Sequence, residues 1–324
     1  MTLTAAAELP ELDAQTLRIV GAIAEHGSIT AAAEALGYSQ PAVSQHLRRA
    51  EQRLGLPLAE RVGRSVRLTE AGEVLARHAR TITNAFDAAA GELAELSGLR
   101  AGRVRLAGFP TASSTVVPKL VKELAATHPG LSVSYLEAEP PEAVEAVRSG
   151  VVDVAITFSY PGDRVDPHQE SAQGLTVDSL WQDEMLVALP AAHPAAVHDR
   201  VPMSELAGET WIAGCPRCRG HLLQVTESAG FAPTIAYETD NFSAVLGMAD
   251  AGIGIALVPT LALASTRVPD GIVLRSTAKG DSRTIHVVTT EGAGRVPAVA
   301  ATLETLHALD LARLDLAEAP APAR

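Results

Sequence analysis

Cysteine is almost absent from this chain of 324 residues: there are two, both inside the segment GCPRCRGH at 214–221. Two thiols cannot make the disulfide framework of a small secreted domain. Lysine is nearly missing too, with 3 against 23 arginines, the bias of a GC-rich genome. Aromatics are scarce at 3%, yet the hydrophobic fraction of 47% is ample for packed cores, so disorder is not the default. Residues 1–13 hold no basic stretch followed by a long apolar core, and no apolar run approaches the ~20 residues that span a bilayer. A soluble, cytoplasmic protein with reduced thiols and no membrane partner is expected. There is no glycine-rich phosphate loop, nucleophile elbow or paired-carboxylate motif, so no enzyme, cofactor or metal is expected. The pair Gly252 and Gly254 in GIGIALVP lacks the third glycine of a dinucleotide fingerprint and runs into Pro259 rather than a phosphate-binding turn. His193 in AAHPAA reads as a turn residue.

The net charge of −12 argues against nucleic acid until its distribution is considered. Between Ser39 and Leu68 stand six arginines (48, 49, 53, 61, 64 and 67) against Glu51 and Glu60. A small basic patch on an acidic body suggests one DNA-facing end.

Periodicity then divides the chain. A first helix carries Leu17, Val20, Ile23 and Ala24 on one face and stops at Gly27. Ser28 can cap a short second helix that ends at Gly37. Ser39 can cap a third, SQPAVSQHLRRAEQRL, with Pro41 in its first turn, where a missing N–H costs nothing. Val43, Leu47, Ala50 and Leu54 make its buried stripe, and Gly55 closes it. Short helices meeting at Gly37 make a helix-turn-helix. RVGRSVRLT reads as a two-stranded wing bending at Gly63. A long helix runs from a Thr69 cap to about Leu99, a length that suggests a dimerising linker. From Arg103 strands and helices alternate, which predicts parallel α/β architecture. The loop from Pro161 to Gly174 leads to DEMLVALP, which starts a second set, including a helix from about Cys218 to Ala229. RTIHVVTTE and VPAVAATLETLHAL return to the first set, and the tail from Asp315 is expected to fray. The fold class is thus α/β: an all-α winged helix-turn-helix with a long linker helix, then a two-lobed Rossmann-like domain. The expected boundaries are 12–69 for DNA binding, 70–100 for the linker, 103–178 with 281–313 for lobe I, and 179–280 for lobe II.

The stretch GSITAAAEALGYSQPAVSQHLRRAEQRLGLPLAERVGRSVRLTEAG resembles the DNA-binding end of LysR-type transcriptional regulators. Ser28, Ala31-Ala32, Leu36, Ser39 to Ser44, Glu51, Leu54-Gly55, Leu58, Arg61, Arg64, Leu68-Thr69 and Gly72 carry the likeness. LVALPAAHPAA and VLGMADAGIGIALVP are similar to the family's second-lobe signatures, so the resemblance spans nearly the whole chain. Ala59 departs from it, standing where the family usually has a large aromatic. The resemblance implies a linker-helix dimer, usually assembled to a tetramer, that binds double-stranded DNA at a dyad operator. It also implies a small-molecule effector between two lobes like those of periplasmic solute-binding proteins.

Gln40, Pro41, Ser44 and Gln45 lie at the N-terminal end of the recognition helix. A glutamine can read adenine bidentately and Pro41 can touch a thymine methyl. Arg48 or Arg49 suits phosphate. Arg64 matches the family's minor-groove arginine, and Ser28, Thr30, Ser39, Arg61 and Thr69 suit backbone contacts. In the first lobe, GFPTASST (108–115) brings Phe109, Thr111, Ser113 and Ser114 to a helix N-terminus that favours an anion; Ser113 or Ser114 could equally be a plain helix cap. Thr157 ends a strand at the same edge, where open α/β sheets bind ligands. Across from them Cys218 and Arg219 wall the second lobe, and Arg219 could clamp an anionic effector.

The cysteines leave alternatives open. Cys215, Cys218 and His221 supply three zinc ligands at most. Cys218 with His221 has no third orienting group for catalysis. A thiol- or peroxide-responsive regulator using Cys215 and Cys218 is the main alternative, because peroxide-sensing members of the resembled family carry a reactive cysteine in this segment. Their resolving cysteine lies further downstream than three residues. A solute-binding protein is the remote alternative.

Overall fold

A computed structural model describes residues 12–62, 65–96, 102–164, 168–310, 314 and 316–319. They belong to two compact units, one ending at Leu93 and the other beginning at Ala94. Gly63, Arg64, Leu99 and the side chain of Arg61 fall outside the described residues.

The first unit runs α1 (Ala14–His26), α2 (Ile29–Ala35), α3 (Gln40–Leu54), β1 (Ala59–Val62), β2 (Ser65–Leu68) and α4 (Glu70–Leu96). Each helix starts at a polar cap. Asp13 accepts from the Thr16 N–H at 2.7 Å, Ser28 from Ala31 at 3.1 Å and Ser39 from Ala42 at 3.4 Å, which satisfies amides that the first helical turn leaves without a partner. Leu17, Val20 and Ile23 are buried as their spacing predicts. Ala24 is exposed, and Ile19 and Ala22 fill the interior in its place. They pack with Val43, Leu47 and Ala50 of α3 and Leu75, Ala76 and Ala79 of α4 into one core. β1 and β2 pair antiparallel with Ala59 opposite Leu68. Glu51 of α3 ties this wing to the helices by accepting from the Leu58 and Ala59 amides at 2.8 and 3.2 Å. Gly72 lets α4 cross the backbone here: a Cβ on it would stand 2.1 Å from the Leu58 carbonyl oxygen.

The second unit begins with β3 (Gly102–Gly108), α5 (Pro110–Ser114), α6 (Val116–Thr127), β4 (Leu131–Glu137), α7 (Pro140–Arg148), β5 (Val154–Ser159), α8 (His168–Ser171) and β6 (Leu175–Pro190). It continues through β7 (Arg200–Val201), β8 (Thr210–Ala213), α9 (Pro216–Ser228), β9 (Thr234–Glu238), α10 (Phe242–Asp250), β10 (Ile255–Pro259), α11 (Thr260–Leu263), β11 (Ile272–Thr277), β12 (Ser282–Thr290), α12 (Pro297–His307) and β13 (Ala317–Glu318). The first sheet has the order β4-β3-β5-β12-β6 and the second β6-β10-β8-β9, with β11 on the other side of β6.

Three expectations need correction. The sheets are mixed, not purely parallel: β3, β4 and β5 run parallel, as do β10, β8 and β9, but β12 is antiparallel to β5 and β6, and β10 and β11 are antiparallel to β6. The second set does not start at Asp183. β6 is one strand of 16 residues whose first part, Leu175–Glu184, pairs with β12 and whose last part, Met185–Pro190, pairs with β10 and β11. It is the common spine of both lobes. The tail is also not wholly frayed, since Ala317 and Glu318 pair with Gln182 and Trp181.

The chain crosses between lobes at Asp183–Met185 and again at Asp281–Ser282, where the Met185 N–H donates to the Asp281 carbonyl at 2.8 Å. Pro118 sits in the first turn of α6, and Thr115 separates α5 from α6. Gly254 serves packing: a Cβ there would lie 2.8 Å from the Thr210 carbonyl oxygen. His193 caps the 3-10 turn at Pro194–Val197. Among the described residues no helix is long and apolar enough to cross a membrane.

Candidate functional site

The outward side of α3 is polar and open. Gln40, Pro41, Gln45, Arg48 and Arg49 are exposed while Val43, Leu47 and Ala50 point inward. The Gln40 amide donates to the Ser44 hydroxyl at 2.8 Å, so the side chain most suited to reading a base is held in orientation by its neighbour one turn on. Thr30 is exposed at the start of α2, whereas Ser28 and Ser39 spend their hydroxyls on helix caps. Thr69 donates to the Pro57 carbonyl at 2.6 Å and accepts from Gly72 at 3.2 Å.

Asp13 pins the frame behind this surface. It bonds Thr16, forms a short ion pair with Arg53 and stands 3.4 Å from His46 of α3. Burial alone would raise its carboxyl. The Thr16 and Arg53 hydrogen bonds and the nearby His46 outweigh that and hold it down to about 2.

In the second unit the residues expected to meet an effector converge only in part. Phe109 and Thr111 are buried at the start of α5, and the Thr111 hydroxyl accepts from Arg283 at 2.9 Å. Arg283 is 2% exposed and Asp183 0%. The guanidinium bonds Asp183 at 2.8 Å and lies over the Phe158 and Phe109 rings, 4.5 and 5.0 Å from their centroids. The other Asp183 oxygen accepts from Leu261 at 2.9 Å. Thus β6 and β12, where the chain crosses between lobes, each contribute one charge to a single buried pair.

Neither Ser113 nor Ser114 caps a helix. The Ser113 hydroxyl hydrogen-bonds the Tyr135 hydroxyl at 2.6 Å, and Ser114 reaches Ser265 of the second lobe at 2.9 Å. Cys218 packs against the same core, in the first turn of α9. Glu139, just before α7, completes the cleft. Burial and the neighbouring Asp240 charge raise its carboxyl to about 7, and its Oε2 is buried with no hydrogen-bond partner among the described residues.

Two expected residues stand elsewhere. Thr157 is buried with its hydroxyl 3.4 Å from His168, and strand alternation turns it away from its neighbour Phe158. Arg219 is half-exposed and pairs with Glu238 of β9 at 3.1 Å. The arginine at the cleft floor is Arg283, whose charge is already matched.

Sequence comparison supplies the identity of this arrangement. Residues 14–73 match the bacterial regulatory helix-turn-helix protein family of LysR type, and residues 97–310 match the LysR substrate binding domain. The chain belongs to the LysR family. It is 29% identical over 238 residues to the HTH-type regulator YybE of Bacillus subtilis, covering 72% of this chain and 77% of that one. It is 28% identical over 276 residues to the DNA-binding transcriptional dual regulator OxyR of Escherichia coli, covering 84% and 87%. A full-length OxyR from Pseudomonas aeruginosa has the same fold, with a TM-score of 0.71, 21% identity, and coverage of 91% of this chain and 95% of that one. The protein is therefore a LysR-family DNA-binding transcriptional regulator with an effector-binding domain.

Within this LysR-type domain the cysteines form one unit. The helix α9 begins at Pro216, two residues earlier than expected, because Cys215 is its cap: the Cys215 sulfur accepts from the Cys218 N–H at 3.3 Å. The two sulfurs stand 2.7 Å apart. The contact with Cys215 pulls the Cys218 thiol down, burial opposes this, and the Arg283 charge adds to the lowering; Cys215 is pushed up by that same contact and by burial. Of the two thiols, Cys218 is the one shifted down and Cys215 the one shifted up. The buried arginine of this segment is Arg217, which bonds the Phe158 carbonyl at 3.2 Å and pairs with Asp163. No group of three or more His, Cys, Asp or Glu among the described residues could hold a metal ion.

Asp183, Arg283, Glu139 and Ser265 were missed by reading the sequence. Asp183 and Arg283 had a signal, a charge at the edge of an apolar strand; Glu139 had none, because a glutamate ahead of two prolines reads as an ordinary loop.

Proposed function

We propose that the protein is a homo-oligomeric regulator, acting in the cytoplasm, that binds a dyad operator through α3 and its wing and whose DNA binding responds to a small molecule held between the two lobes. The observation that carries the reading is the split of α3 into a buried apolar face and an exposed polar face on which Gln40 is already oriented by Ser44. Ser28, Thr30, Ser39, Arg48, Arg61 and Thr69 set register on the backbone in this reading, Arg64 enters the minor groove, and Gln40, Pro41, Ser44 and Gln45 read bases. On α4, Ile82, Phe86 and Ala89 are exposed at the spacing of a helix–helix seam, which suits pairing with a second copy.

Phe109, Thr111, Ser113, Ser114 and Cys218 line the effector site in this proposal. An anion would have to rely on Arg219, which is committed to Glu238, or on the five-residue α5. The unpartnered Glu139 carboxyl instead favours an effector that offers a hydrogen-bond donor or a positive charge. A mobility shift on the intergenic DNA upstream of its gene tests the function: the full-length protein shifts it selectively and a protein lacking residues 1–70 does not. Sequence-independent binding by the full chain refutes it.

The 2.7 Å sulfur contact favours a second reading, in which the Cys218 thiolate takes one oxygen from a peroxide, breaking its O–O bond and releasing hydroxide, and the Cys215 thiol then displaces water from the resulting sulfenic acid to close a disulfide. Mass spectrometry after peroxide treatment decides it. A loss of two hydrogens across the pair, with altered DNA binding, supports it; unchanged regulation by the Cys→Ser variants excludes it.

A further inference from the structure

A second cavity lies behind α9, on residues that the interlobe cleft does not use. It has a volume of about 450 Å3 and sits where the chain crosses between lobes, bounded by α9, by residues 202–204 and by the turn 278–282. That volume is in the range of roughly 300–1,000 Å3 typical of small-molecule sites.

Its wall carries an unexplained polar group. His221 is 5% exposed, and neither ring nitrogen has a hydrogen-bond partner among the described residues. The ring stacks on Tyr160 with centroids 4.1 Å apart and planes at 7°, which fixes its plane. Burial, with the Arg283 charge adding and Asp281 opposing, pushes the imidazole down to about 4. At neutral pH it is an uncharged ring with one donor and one acceptor, both unused. Both ring nitrogens are closed to solvent, so the imidazole meets the cavity as a flat wall held by its stack on Tyr160.

The turn at the cavity rim carries opposite charges two residues apart. Lys279 makes no ion pair among the described residues, and Asp281, which accepts from Thr277 at 2.5 Å, makes none either. The rest of the wall includes the apolar Pro202, Met203 and Val225. A simple anion would meet Asp281 and a simple cation would meet Lys279, whereas a molecule bearing both charges satisfies each. We propose that this cavity is a second ligand site for a small zwitterion of the α-amino acid class with an apolar side chain. Its carboxylate faces Lys279, its ammonium faces Asp281, and the side chain lies on Met203 and Val225, with the His221 ring as part of the wall. A ligand there touches α9 of one lobe and the strand crossing to the other, so its occupancy biases the hinge independently of the cleft.

Isothermal titration of the full-length protein with L-leucine tests this, with 4-methylpentanoate and 3-methylbutylamine as probes that each lack one head group. Leucine is expected to bind one molecule per protomer, with both probes at least about tenfold weaker, since losing one charge-assisted bond costs 1.4 kcal/mol or more. Lys279→Gln and Asp281→Asn should each weaken leucine by a similar factor. Absence of leucine binding, equal binding of either probe, or full-strength binding by both charge variants overturns the proposal. The probe comparison needs no variant to fold.

Discussion

Replacing Arg283 by methionine leaves Asp183 alone in the interior, and the structure sets the size of the loss. Asp183 is 0% exposed and keeps only the Leu261 amide once the guanidinium at 2.8 Å is gone. A buried carboxylate stripped of its partner costs about 3–5 kcal/mol, even where replacing the whole pair by apolar groups is nearly neutral. Methionine fills much of the arginine volume between Phe109 and Phe158, so the cost arises from charge rather than from a void. Urea unfolding followed by tryptophan fluorescence measures it cleanly, because both tryptophans, Trp181 and Trp211, are buried in the second unit. Arg283→Met should lower stability by about 3–5 kcal/mol, and adding Asp183→Leu should restore about 2 kcal/mol or more of it. If the single substitution costs under about 1 kcal/mol, or if the two losses simply add, the pair is not the buried electrostatic unit described above.

Further outcomes are expected. Gln40→Ala relaxes the sequence preference of DNA binding while Arg61→Ala weakens binding to all sequences alike, as read by mobility shift on a randomised site; an unchanged preference in Gln40→Ala removes the base-reading assignment. Gly72→Ala places a methyl against the Leu58 carbonyl and should lower the melting transition of the first unit by about 1–3 kcal/mol; a neutral effect contradicts the close crossing of α4. The histidines His168, His221 and His286 are pushed by burial to about 4, 4 and 3, so the unfolded chain binds their protons first as pH falls. Glu139, raised to about 7, acts in the opposite sense and offsets one of them, so stability of the second unit should fall between pH 6.5 and 4.5 by about 1.4 kcal/mol per pH unit for each of the two histidines left uncompensated. Urea midpoints across that window read it, and a flat profile contradicts the buried neutral pair of His168 and His286, stacked 4.9 Å apart.

What the sequence disclosed and what it hid differ in kind. Caps and stops are local chemistry, so Ser28, Ser39 and Thr69, and Gly27 and Gly55, were legible. The recognition helix was legible as well, because Val43, Leu47 and Ala50 keep one period against a polar background. β6 was read only from Asp183 onward, because Asp178, Gln182 and Asp183 interrupt its apolar pattern and mimic a loop; their partners on β12 lie about a hundred residues away. The same distance hid the cleft charge. Arg219 was favoured because it adjoins the cysteines in sequence, whereas Arg283 reaches Thr111 across 172 residues of chain. Packing brings together what spacing cannot show, and Glu139 illustrates it: only the folded cleft makes that carboxyl an unpartnered acceptor.

The central claim is tested most directly by fluorescence anisotropy of the full-length protein on its upstream intergenic DNA, titrated at several salt concentrations against an unrelated duplex. Selective binding is predicted, with log K falling linearly against log salt at a slope of several units, roughly 0.9 for each phosphate neutralised. Equal affinity for both duplexes, or binding indifferent to salt, would contradict the account.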